Sequence, residues 1–163
     1  MVKKKSSLLG ITLIEIIIVI SIITTLFGLV FGNILNVRST TTINTSLTTL
    51  IADLKNQQIK SMVGDTEGRG APDNYGIYIS GSNYALFHGQ IYSAAESTNF
   101  DIEADTGYQF TTTFPGNQVI FASGSGEIVN FTENQNTISV IDTRTNEEKT
   151  IHINKYGVIT TIN

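Results

Sequence analysis

Residues Ile11–Phe31 read I-T-L-I-E-I-I-I-V-I-S-I-I-T-T-L-F-G-L-V-F, a run of 21 residues with one charge, Glu15. As a helix rising about 1.5 Å per residue the run spans roughly 32 Å, close to the roughly 30 Å hydrocarbon core of a bilayer. Lys3, Lys4 and Lys5 precede it; a basic flank of this kind holds the amino end in the cytoplasm and leaves the chain after Gly32 outside. A secretory signal fits poorly, because its apolar region is shorter and ends in an A-x-A-like site, whereas this run continues into Phe31-Gly32-Asn33-Ile34. A plain single-pass anchor fits the length but gives no use for Glu15. A charged side chain at the centre of a membrane helix costs roughly 2.5–3.5 kcal/mol, less near an end. A cut between Gly10 and Ile11 would place a new α-amine one helical turn from Glu15. Ammonium and carboxylate could then neutralise each other, within one chain or between neighbours packed in axial stagger.

Composition is uneven in the same sense, with its apolar surplus concentrated at the amino end. Of 163 residues, 40% are hydrophobic and 15% charged, against roughly 25% charged in an ordinary soluble domain. The net charge is −4, from 10 basic and 14 acidic residues, and mean hydropathy is +0.09. The absence of cysteine excludes disulfides, thiolate metal sites and cysteine nucleophiles, and two histidines make a histidine-rich metal centre improbable. No cofactor is expected.

Lys3-Lys4-Lys5, then Gly10 followed by Ile11-Thr12-Leu13-Ile14-Glu15 and a long aliphatic run, resembles the class III leader of type IV pilins and pseudopilins. The resemblance implies cleavage after Gly10 by a prepilin peptidase and methylation of the new amino terminus, Ile11. It also implies assembly through Glu15 against a neighbouring subunit's terminus. The chain has Ile11 where that family usually has phenylalanine. The partners so implied are other pilin or pseudopilin subunits, the peptidase, an inner-membrane assembly platform and membrane lipid.

Beyond the apolar run, Ile43, Leu47, Leu50, Ile51 and Leu54 recur at steps of four, three, one and three, the spacing of a one-sided helical stripe. Ile59 and Met62 are expected to prolong it and Gly64 to end it, giving one helix from Thr12 to Met62. Thr40-Thr41-Thr42 is its weak place. Gly28 and Gly32 form a GxxxG pattern, readable either as a close-packing face or as a segment that melts.

From Tyr75 the pattern alternates. Tyr75–Ile79, Tyr84–His88, Val119–Ala122, Ile138–Ile141, Thr150–Ile153 and Val158–Ile162 read as strands separated by turn-like Ser80–Asn83, Gly124–Gly126 and Thr145–Glu147. The expected fold is therefore α+β: a long amino-terminal helix, membrane-spanning in its first half and amphipathic in its second, packed on an antiparallel β-sheet head. The expected organisation is a leader over 1–10, a transmembrane and assembly helix over 11–32, a helical stalk over 33–64 and a β-rich head over 65–163. Tyr75-Gly-Ile-Tyr-Ile, Tyr84-Ala-Leu-Phe, Val119–Glu127 and the terminal hairpin with Lys155-Tyr-Gly-Val-Ile resemble the head of GspH/FimT-like minor pseudopilins. That resemblance implies a type II secretion pseudopilus first, and a type IV pilus or competence pilin second.

The head offers little for catalysis. His88 and His152 sit on expected strands as half-exposed residues, and no G-x-S-x-G, P-loop or H-E-x-x-H occurs. Asp101, Glu103 and Asp105 alternate along one strand face, and Asp65, Glu67 and Asp73 share the Gly64–Asn74 loop. Either set suits a hard cation or simply a solvated face. Tyr75, Tyr78, Tyr84, Phe87 and Tyr92 could form an aromatic patch, half of it core. A DNA-receptor head would need clustered lysine and arginine, and the carboxy-terminal stretch holds only Arg144, Lys149 and Lys155. Neither an enzyme nor a nucleic-acid partner is expected.

Overall fold

The computed structural model describes residues 13–163, and of 28–42 the backbone alone. Helix α1 runs Leu13–Val63, agreeing with the span expected from the apolar run and the stripe after it. The backbone is helical through Gly28–Gly32 and through Thr40–Thr42. The chain divides into two compact units, Met1–Arg38 and Ser39–Asn163.

In the first unit, the described side chains Leu13–Phe27 turn large apolar groups outward on all sides. Leu13, Ile14, Ile16–Ile20, Ile22, Ile23, Leu26 and Phe27 are 47–78% exposed. The hydroxyls within the run make no demand on solvent: Ser21, Thr24 and Thr25 donate to the carbonyls of Ile17, Ile20 and Ser21 at 2.8–2.9 Å. Among the described residues no helix is long and apolar enough to cross a membrane. The membrane-spanning half expected from Ile11–Phe31 is therefore not found, because that run extends at both ends beyond the residues whose side chains are described.

The second unit is an α+β head. Two four-stranded antiparallel sheets replace the single sheet expected. In the first, β1 (Tyr75–Ser80), β2 (Asn83–His88), β3 (Phe100–Glu103) and β5 (Gln118–Phe121) lie in the order β3-β2-β1-β5. In the second, β4 (Tyr108–Thr112), β6 (Thr137–Asp142), β7 (Glu147–Ile153) and β8 (Ile159–Ile162) lie in the order β4-β6-β7-β8. The sheets meet where Phe110 N–H donates to Gly81 O at 2.7 Å. Ile43, Leu47, Leu50 and Leu54 of α1 join one core with Ile77, Ile79 and Tyr84 of the first sheet and Phe110, Val140 and Ile151 of the second.

The stripe continues differently from the expectation. Ile59 and Met62 are half or more exposed, and the buried positions are Gln57 and Ser61. The alternating steps of four and three from Ile43 lead to these two residues, because that spacing keeps one helix face towards a partner. Both are polar because they meet strand backbone. Gln57 Nε2 donates to Gly76 O at 2.9 Å and to Phe87 O at 3.3 Å. Ser61 Oγ receives Tyr75 N–H at 2.9 Å and donates to Phe121 O at 2.8 Å. Tyr75 and Phe121 are register partners of β1 and β5, so the hydroxyl is an inserted rung of their ladder. On the neighbouring flank Gln58 Nε2 donates to Tyr156 O at 2.7 Å and Gly126 O at 3.0 Å.

Gly64 ends the helix as expected. Its φ of +65° suits glycine, and the bonds Gly64 N–H to Ser61 O and Asp65 N–H to Lys60 O are the paired bonds of a Schellman stop. Elsewhere Tyr84 donates its phenol to Asp53 Oδ2 at 2.6 Å. Burial, and the carboxylate beside it, push that phenol well above its ordinary range. The β6–β7 turn is pinned by buried Asp142, whose two oxygens accept from Arg144 Nε and NH2 at 3.0 and 2.9 Å.

Of the five aromatic residues, Tyr75, Tyr84 and Phe87 are buried, and Tyr78 stacks on Tyr92 at 4.0 Å. Phe87 owes its seat to Gly76, its register partner. A Cβ at Gly76 would lie 2.6 Å from Val119 O and 2.7 Å from Phe87 Cζ. The first is backbone inside a paired sheet and cannot retreat. Gly76→Ala should therefore cost about 1–3 kcal/mol by overpacking, measured as a lower urea midpoint; an unchanged midpoint would show that the sheet yields there.

Candidate functional site

The residues singled out at the amino end divide into two groups. Lys3, Lys4, Lys5, Gly10 and Ile11 lie outside the described residues. Glu15 lies near the start of the described part of α1. With Ile16, Val19 and Ile20 it borders a surface hollow of about 260 Å³.

In the head, the acids of the Gly64–Asn74 loop are occupied locally, and those of β3 face solvent. Asp101 and Glu103 stand exposed on β3 with Asp105 beyond it, and no group that could hold a metal ion is found among the described residues. In the Gly64–Asn74 loop, Asp65 Oδ1 caps Glu67 N–H at 2.9 Å. Glu67 accepts from Lys60 at 2.5 Å and from Arg69 at 3.0 Å, and Asp73 faces His88 Nδ1 at 3.2 Å. His152 is half-buried on β7.

His88 does more than the sequence suggested. Its Nε2 lies 2.8 Å from Thr98 Oγ1, opposite the Asp73 contact. Carboxylate, imidazole and hydroxyl thus stand in the order of a nucleophilic relay. Thr98 is exposed on a connecting loop, however, and the Asp73 side chain is 35% exposed, so water competes for both ends. The three residues tie the Gly64–Asn74 loop to the β2–β3 connection.

These ties frame a cleft of about 360 Å³ beside α1, walled by Gln57, Lys60, Tyr75, Leu86, His88 and Phe100 among others. Gln57 is 2% exposed, and its Oε1 has no hydrogen-bond partner. Both acceptors of its Nε2 are carbonyls, so the amide cannot be turned round to satisfy the oxygen. Sequence reasoning missed the cleft because a glutamine in a stripe reads as surface; its place in the four-three spacing was the available signal.

Glu67 is held below the ordinary carboxylate range, chiefly by the bond from Lys60; burial opposes this and Arg69 adds to it. A depressed folded value means that the stabilisation is present above the unfolded carboxylate range and is lost as pH falls through the folded value. The Glu67 side chain is 37% exposed, which limits the contribution to roughly 0.2–1 kcal/mol. Glu67→Gln should flatten the acid limb of a melting-temperature profile by a few degrees at most; a profile unchanged below pH 5 would remove the pair from the stability account.

Compared with protein-family models, with curated proteins and with solved structures, the chain finds no match.

Proposed function

We propose that the chain is a structural, non-enzymatic, pilin-like subunit, a minor pseudopilin of a type II secretion pseudopilus. Prepilin peptidase cuts between Gly10 and Ile11, the new amino terminus is methylated, and the subunit assembles through its first helix. Before assembly the helix rests in the bacterial inner membrane with the head outside the cytoplasm. An assembly platform then transfers it into a filament whose core is built of such helices.

The observation that carries this reading is the helix surface from Leu13 to Phe27, whose large apolar side chains are 47–78% exposed around the helix. Such a surface needs lipid or other apolar helices around it. The internally bonded Ser21, Thr24 and Thr25 suit surroundings without water, and Glu15 supplies a charge that selects a partner. The Asn, Ser, Thr and Gly of the head, with few basic groups, suit display outside the cell.

Mass spectrometry of the protein recovered from cells tests the processing step. The expected mature chain begins at Ile11 with one added methyl group. A chain that retains residues 1–10 in assembled material would overturn the reading. Gly10→Leu should leave the chain uncut, because a bulky side chain blocks the scissile bond; a normal mass shift in that variant would count against the peptidase.

A further inference from the structure

We draw no further inference here: the strongest candidate, the exposed apolar patch of Ile59, Met62 and Val63 on the last turns of α1, carries nothing because nothing in the structure shows what covers it.

Discussion

Chains carrying Glu15→Leu should insert and lose residues 1–10 normally, yet enter filaments more than tenfold less often than the parent. The substitution makes the helix more apolar, so membrane storage is undisturbed or improved. What disappears is the carboxylate that matches an incoming ammonium, the Ile11 amine of the same chain or a neighbour. A tenfold effect corresponds to about 1.4 kcal/mol, modest for a charge pair in surroundings of low dielectric. Glu15→Asp should retain part of the incorporation, since it keeps the charge on a shorter stem. Quantitative immunoblotting of sheared filaments against whole cells measures the ratio; equal incorporation of the leucine variant would show that the carboxylate has no part in assembly.

The head should lose about 2–6 kcal/mol on Ser61→Val. Valine nearly matches the volume of serine plus a methyl group, so the cavity term is small. The loss is that of the rung. Tyr75 N–H and Phe121 O both bond the Ser61 hydroxyl, and each would be left buried without that partner, at about 1–3 kcal/mol apiece. Ser61→Thr, which keeps the hydroxyl, should lose much less. Denaturant unfolding of the three chains separates the cases; a valine variant as stable as the parent would mean that β1 and β5 close directly on one another.

The long helix and its end were legible because local chemistry decides them. The apolar run, the stripe Ile43–Leu54 and the positive φ of Gly64 need no distant partner to be read. Strands β1, β2 and β5–β8 were legible for the same reason, each a short alternating run between turn residues. Strand β4, Tyr108-Gln-Phe-Thr-Thr, was missed because three of its five side chains are polar and no turn signal separates it from Thr113-Phe114. The division into two sheets is set by which strands pair, and the β4–β6 and β1–β5 partnerships join residues far apart in the chain; period-two alternation carries no information on partners. The cleft escaped for a related reason. Its parts, Gln57, Tyr75, Leu86, His88, Thr98 and Phe100, come from four separate segments, and none is unusual in its own. Gln57 and Ser61 were hidden by weighing apolarity above spacing, so that Ile59 and Met62 were preferred at positions that the helix turns outward.

The junction of α1 with the head has a mechanical consequence. Its last turns are fastened at several points: Gln57 to β1 and β2, Ser61 to β1 and β5, and Gln58 to the β7–β8 turn. A pull on this helix is therefore shared among both sheets at once, and the bonds must shear together and cannot peel one after another. A motor that hauls on the greasy end would drag the folded head along intact, without any covalent staple to hold it together.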